Sequence, residues 1–364
     1  MNAVLLAERR PQKLALIVGS NPLPNYLAAM VLSPKEVVLL HSPETAAPRE
    51  NLRTALSAKG IEVSSVCIAD ATDARKIQQE CKSLRVDHLH YSGGTKPMAA
   101  HARATVKLTE SQASYLDERK GLLRFDDGYE IPLSACDLGL TLDVVLQLHG
   151  GKRKADSTAA KSSINSVNVE VHAFEILKEP RDGSSEEQSG PSAEGAARSD
   201  QRTVSSEERN RSSKEGSDGR WLELWVANRI ADCVSDAKPQ VRVVVERANP
   251  QRDFEIDVAL VRGHRLFVVS CTTSKKLKPC KAKLFEVAMR AKQMGGDLAR
   301  SALVSLIDGP DQNGWPYIEQ LRADIASVWG APNVPRVFGQ ADLREWAGVG
   351  CARNLDQLKE WLDS

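Results

Sequence analysis

Seven consecutive residues, Ser92-Gly93-Gly94-Thr95-Lys96-Pro97-Met98, combine side chains and backbone freedom that suit an anion. Two glycines let the backbone pass close to a ligand with no Cβ in the way, Thr95 can cap a following helix, and Pro97 suits its first turn. Free N–H groups at such a helix end attract negative charge, with a dipole effect of about 0.3 to 1 kcal/mol before the charge of Lys96 is added. The ligand predicted here carries phosphate. The plainer alternative for an isolated Gly-Gly-Thr-Lys is a tight turn with an exposed lysine. The spacing is not G-x-x-x-x-G-K-[ST], and no G-x-G-x-x-G follows the first strand, so neither a Walker loop nor dinucleotide binding is favoured.

Those residues need a strand to deliver them and a helix to follow. Asp87 to Tyr91 is a short strand-like run, and Leu14 to Val18 reads as a buried parallel strand ending in a second turn, Gly19-Ser20-Asn21-Pro22. Helix-like Asn25 to Leu32, a strand at Glu36 to His41, a helix around Glu50 to Lys59, a strand at Glu62 to Ile68 and a helix through Ala74 to Cys81 lie between them. This alternation predicts a doubly wound parallel sheet. Ligands of such sheets sit outside the carboxyl ends of the strands, so the two turns are expected to flank one crevice. A helix over Met98 to Thr109 follows, then Ser114 to Asp117 and a hairpin turning at Asp127-Gly128. An amphipathic helix over Leu140 to His149, with Thr141 as a plausible cap, closes the unit.

A small-residue turn after the first strand, a strand running into Gly93-Gly94-Thr95-Lys96-Pro97-Met98, a Tyr-Leu-Asp hairpin and a Leu-Thr-Leu-Asp helix resemble the CARF sensor domain of type III CRISPR ancillary proteins. The resemblance covers roughly residues 1–150 and implies a Rossmann-like CARF domain in a homodimer whose two-fold interface binds a cyclic oligoadenylate, such as cyclic tetra-adenylate. It implies that Gly19, Ser20, Asn21, Ser92, Gly93, Gly94, Thr95 and Lys96 line the site. A polyphosphate ring fits a site built twice from one anion-seeking helix end.

A chain of 364 residues is long enough for two domains. The longest apolar run, Tyr26 to Leu32, is too short to cross a bilayer, and the N-terminus shows no basic segment followed by a long apolar stretch, which reads as cytoplasmic with no membrane partner. The cysteines include no C-x-x-C and read as reduced, mostly buried thiols. With a net charge of +1, no global field draws nucleic acid in, so such binding requires local patches. Residues 151–218 read as an extra strand, at Ile164 to Leu177, followed by a flexible tether. From Lys178 to Arg220 the only branched or aromatic apolar residue is Val204, so this stretch cannot offset its chain entropy by burial.

Residues 219–364 read as a second domain. A helix begins at Gly219-Arg220-Trp221-Leu222-Glu223, with a strand at Gln240 to Glu246 and a hairpin of Phe254 to Val261 with Leu266 to Cys271. A helix over Lys281 to Met294 stops at Gly295-Gly296, a strand covers Ser301 to Leu306, and Asp342 to Trp346 and Leu355 to Leu362 look helical. Alternation places Glu255 and Asp257 on one face, away from Ile256 and Val258, which suits either an edge strand with alternating charge or a site.

This order resembles the PD-(D/E)xK restriction-endonuclease-like core fused to CARF domains in CRISPR ancillary nucleases. The resemblance implies a metal-dependent nuclease acting on DNA or RNA. It implies a Mg²⁺ or Mn²⁺ ion held by Asp257 and Glu223, with Ser270 at the strand end and Glu255 nearby, because these cations prefer hard oxygen ligands. The family's strand ends in Ser-Cys-Lys or Glu-Cys-Lys; here it is Ser270-Cys271-Thr272-Thr273, so Lys275 or Lys276 is expected to reach in from a shifted position. Lys275, Lys276, Lys278, Lys281 and Lys283 form a basic cluster able to contact a phosphate backbone or to lie as a solvated helix face. Thr272 leaves open a catalytically inactive sensor that only binds nucleic acid. A slow hydrolase of its own cyclic signal is a further alternative.

Overall fold

The run Leu14 to Val18 is apolar on both sides, which suits only a strand covered on both faces. The computed structural model describes residues 9–154, 166–178, 219–330 and 333–364. In it β1 (Lys13–Ile17) sits inside a seven-stranded sheet of order β3-β2-β1-β4-β5-β6-β7, with β2 Glu36–His41, β3 Glu62–Cys67, β4 His88–His90, β5 Ala113–Asp117, β6 Leu122–Phe125 and β7 Glu130–Pro132. Strands β1 to β5 pair in parallel and β5 to β7 antiparallel, turning at Gly128 with φ +87°. Helices α1 (Leu23–Leu32) and α2 (Ala46–Ser57) bury Leu14, Leu16, Val37 and Leu39 on one face. Helices α3 (Ala74–Lys82) and α4 (Lys96–Thr105) bury Ala15, Ile17, Val38 and Leu40 on the other.

The strand order reverses between β1 and β4, so the turns that follow these neighbours lie side by side at the switch point. They touch. An ideal Cβ on Gly19 would lie 2.8 Å from the Gly94 nitrogen, and one on Gly93 would overlap the Ile17 carbonyl oxygen. Gly94 adopts φ +71°.

Helix α5 (Leu142–Leu148) is capped by Thr141, whose Oγ1 accepts from the Val144 N–H at 3.2 Å. It does not simply close the first unit: Leu148 packs in the first core, while Leu142, Val145 and Leu146 pack under the second sheet. That sheet has order β13-β12-β11-β10-β9-β8, with β8 Gly151–Arg153, β9 Gln240–Arg247, β10 Phe254–Arg262, β11 Arg265–Thr272, β12 Arg300–Ser305 and β13 Arg336–Phe338. Strands β8 to β11 are antiparallel neighbours and β11 to β13 parallel.

Residues 164–177, read as an extra strand, are instead largely helical: α6 spans Ser166–Lys178. Val169, Ala173 and Leu177 recur every four residues and bury against Trp221 and Trp225, while Val171, which fitted the strand pattern, is 57% exposed. The tether expected over 178–220 falls, at 179–218, outside the described residues. Helix α7 (Arg220–Cys233) joins α6 on one face. Helix α8 (Leu277–Gly295) and α9 (Tyr317–Trp329) cover the other, and α10 (Gln340–Ala347) and α11 (Asp356–Asp363) complete the first face. All seven cysteines are free, but only Cys81, Cys271 and Cys280 are buried, so the expectation of mostly buried thiols fails at Cys67 and Cys351. Among the described residues no helix is long and apolar enough to cross a membrane.

The glycines of the paired turns predict an ordering. Gly93→Ala forces a methyl into the Ile17 carbonyl and is expected to cost about 3 kcal/mol or more, whereas Gly128→Ala meets no neighbour and carries only the positive-φ penalty, about 1 kcal/mol. Urea unfolding of both variants checks this; equal losses contradict the packing account.

Candidate functional site

The antiparallel ladder between β9 and β10 pairs Ile256 with Val243 and Val258 with Val241, and skips Asp257 and Arg242. Arg242 adopts φ +54°, a left-handed conformation that costs a non-glycine residue of order 1 to 2 kcal/mol. At this break the sheet changes face: Ile256 packs on the α8 side and Val258 on the α7 side. Strict alternation would have put these two together, so the expected simple two-faced strand is corrected here. The half-turn leaves Asp257 within reach of both helices.

Glu223 arrives from α7, where Leu222, Trp225 and Val226 anchor the buried face. Carboxylate oxygens of Glu223, Glu255 and Asp257 lie within 4.8 Å of one another, the only such group among the described residues close enough to share a cation. Asp257 Oδ2 accepts from Ser270 Oγ at 3.0 Å and from the Cys271 N–H at 2.6 Å, which fixes its orientation. The Arg242 guanidinium donates to both oxygens of Glu255 at 2.9 and 3.4 Å and lies 3.9 Å from Glu223. Glu223 Oε2 is buried with no hydrogen-bond partner. Burial, and then the charge of Asp257, push its carboxyl up to about 7. Cys271 beside it is buried and its thiol is raised well above its ordinary value, first by desolvation, so it stays a neutral thiol.

Among the described residues, the lysine that lies beside the carboxylates is not the expected Lys275. Lys275, Lys276 and Lys278 are exposed, and among the described residues no side-chain bond ties any of them to the carboxylates. Lys283 on α8 lies instead with Nζ 3.8 Å from Asp257 Oδ2 and 3.2 Å from the Cys271 carbonyl oxygen, to which it donates. The reason is where the helix starts. α8 begins at Leu277, before the expected Lys281, so its buried row Cys280, Leu284, Val287 turns the neighbouring Lys283 toward the sheet. A cavity of about 350 Å³ opens beside the cluster, lined by Glu255, Asp257, Ser270, Lys283 and Arg290 among others.

Of the eight residues expected at the paired turns, Gly19, Gly93 and Gly94 meet backbone to backbone, and the others have different commitments. Thr95 caps α4, accepting from the Met98 N–H at 3.2 Å and donating to the Ala71 carbonyl at 2.7 Å. Lys96 is exposed at the helix start, and helix α4 thus begins before the expected Met98. Ser92 Oγ accepts from the Leu116 N–H, so it is tied to β5. Asn21 Oδ1 accepts from the Leu23 N–H at 3.0 Å and pairs with His149 Nε2 at 3.2 Å. Ser20 is exposed and lines two cavities, of about 620 and 750 Å³, between the two sheets.

No protein-family model matches the chain, and no curated protein matches it. Solved structures do. Can2 from Sulfobacillus thermosulfidooxidans, in complex with cyclic tetra-adenylate, superposes with a TM-score of 0.64 at 14% identity, over 97% of this chain and 99% of that one. Protein VC1899 from Vibrio cholerae gives 0.63 at 14% identity, over 96% and 98%. A type III CRISPR defence DNA nuclease activated by cyclic oligoadenylate gives 0.56 at 17% identity, over 88% of this chain and 52% of that one. The expected fold, a Rossmann-like parallel sheet followed by a second α/β unit on a mixed sheet, is therefore one that this chain shares with them.

Proposed function

We propose that the chain is a cyclic-oligoadenylate-activated, metal-dependent nuclease of type III CRISPR antiviral defence, working as a homodimer. The observation that carries the reading is the meeting of Glu223, Glu255 and Asp257 with the Lys283 ammonium at a break in the second sheet. Its support from fold is that structures of the same architecture include one holding cyclic tetra-adenylate and one described as a cyclic-oligoadenylate-activated DNA nuclease.

The donor set suits a hard divalent cation. Three carboxylates crowd one point, and the buried Glu223 oxygen has no hydrogen-bond partner. Asp257 and Glu223 would hold Mg²⁺ or Mn²⁺, with Glu255 beside them; such an ion stabilises charge on a phosphodiester and lowers the pKa of water. Ser270 and the Cys271 N–H aim the Asp257 carboxylate, so Ser270 acts through Asp257. Arg242 restrains Glu255, and Lys283 supplies the cationic charge that Thr272 cannot. That last contact supports an active domain over an inactive one.

At the other end, the paired turns present Lys96 and the α4 N-terminus to a phosphorylated ring, doubled by symmetry in a dimer. Activation requires the ring to bind the cutting arrangement more tightly than the resting one.

Labelled single- and double-stranded DNA and RNA, incubated with Mg²⁺ or Mn²⁺ with and without cyclic tetra-adenylate, test this. Cutting is expected only with metal and ring together, to vanish in Asp257→Ala, and to fall about 10²- to 10³-fold in Lys283→Ala, as for loss of one preorganised charge. Lys275→Ala should lower it far less. Binding without cutting would favour the inactive sensor, and loss of the ring a self-hydrolase. In calorimetry Lys96→Ala should weaken ring binding about tenfold, the value of one charged contact.

Glu223 gives a test that needs no substrate. Its folded pKa lies above its ordinary value, so the folded chain holds this proton more tightly than the unfolded one. The resulting stability is present below about pH 4.5 and lost as pH rises through about 7. In excess chelator, Glu223→Gln should match the parent near pH 5 and exceed it by about 2 kcal/mol at pH 8. Denaturant melts at both pH values decide; a pH-independent difference means that Glu223 is not held protonated.

A further inference from the structure

The cavity beside the carboxylates does not end there. It shares Asp253 and Arg290 in its lining with the cavity of about 750 Å³, to which Arg247, Asn249 and Gln251 also contribute. The two abut along α8, forming one groove from Asp257 toward the first domain. At the junction two guanidiniums lie over one ring: Arg290 is 4.3 Å and Arg247 5.4 Å from the centroid of Phe254. Phe254 is 9% exposed, so it serves as a floor that orients them and not as a surface for a base.

These cations are poorly compensated. Among the described residues Arg247 has no carboxylate within 4.0 Å; its side chain donates to the His149 carbonyl, and its backbone N–H, not its guanidinium, is bonded to Asp253 at 2.8 Å. Arg290 has only Glu286 at 3.9 Å, one turn back on its own helix and largely exposed. Burial and the like charge of Arg290 both act against the charge on Arg247. Two adjacent guanidiniums with spare donors, facing a groove, are relieved by an anion between them. Arg290 stands seven residues after Lys283, two turns and so about 10 Å along α8 from the lysine that neighbours Asp257. That spacing is one or two nucleotides of a single strand.

Resting on the nuclease reading above, we propose that Arg247 and Arg290 form a phosphate clamp that seats the nucleic-acid strand in this groove, beside the bond to be cut. The exposed lysines at 275, 276 and 278 lie off this groove.

The test measures binding apart from cutting. In an Asp257→Asn background saturated with cyclic tetra-adenylate, anisotropy of labelled single-stranded DNA and RNA is followed over a salt series for Arg247→Gln, Arg290→Gln and a triple Lys275→Gln, Lys276→Gln, Lys278→Gln variant. Each arginine variant should raise Kd about tenfold and reduce the salt slope by about 0.7, the single-strand value per phosphate contact. The triple variant should do less. Arg247→Gln also removes the bond to His149, so thermal melts accompany both and Arg290→Gln, free of that bond, carries the decision. The clamp is overturned if Arg290→Gln binds as the parent does, if the lysine triple loses more, if the parent binds no strand, or if the arginine variants lose ring affinity in calorimetry while keeping the strand. A parent that binds strands through the arginine pair yet cuts nothing when Asp257 is intact sinks the nuclease reading and leaves the clamp standing.

Discussion

Three carboxylates cannot share a space of 4.8 Å without help. At an effective dielectric near 20, each like-charged pair at that distance repels by about 3 kcal/mol. The surrounding residues answer this in three ways. Glu223 takes up a proton near neutral pH; Arg242 lies against Glu255 and near Glu223; Asp257 accepts two hydrogen bonds and lies near Lys283. The left-handed backbone of Arg242 belongs to the same solution, since the ladder break it sits in is the one at which Asp257 is left unpaired. The strain is local, and the aromatic core behind it, with Trp225, Trp346 and Phe338 packed ring to ring, supplies the rigidity to hold it.

The two sheets are joined by more than a tether. Leu298 from the second unit is buried in the first core, and α5 gives Leu148 to one core and Leu146 to the other. Glu118 at the end of β5 accepts from the Asp297 N–H at 3.1 Å, and a Cβ on Gly296 would collide with the Asn21 amide. Buried apolar contact of this kind is the cohesion of a domain interior, which opposes free rotation of one unit against the other.

Much of this was legible in the sequence because it follows from short periods. The alternation of apolar runs and helices gave the parallel sheet with its two turns, and Asp127-Gly128 marked the hairpin at a glycine that does adopt positive φ. Glu223, Glu255 and Asp257 were named through the resemblance, since alternation alone suited an edge strand equally well, and the structure brings their carboxylates within 4.8 Å of one another. What failed depends on tertiary contact. Val167, Val169 and Val171 alternate like a strand, yet the period of four in Val169, Ala173 and Leu177 won once Trp221 and Trp225 offered a face. Helix α9 and strand β13 went unread because Pro, Gly and Asp punctuate the stretch before them, masking Leu321 and Ile325, which are fully buried. Lys283 was seen only as one of five basic residues. Fixing the first turn of α8 would have shown it one step from Leu284 on the buried row, whereas motif spacing along the strand pointed to Lys275.

The position of that lysine has a mechanical consequence. A lysine on β11 would move with Asp257, since both strands belong to one hydrogen-bonded ladder. On α8 it belongs to the element whose C-terminal end, at Gly295 and the following Gly296, abuts Asn21 and Glu118 of the first unit. The helix is about 28 Å long at 1.5 Å per residue, stiff over that span, and in contact with the Gly19 to Pro22 turn at one end and a carboxylate at the other. A slide of α8 along the sheet changes the separation of Lys283 Nζ from Asp257, now 3.8 Å, without breaking any strand pairing. In the same slide Arg290, two turns further on, moves with Lys283 as one body. On the proposed reading a ring that favours one position of the helix would thus set charge and strand placement together, through a single packed element.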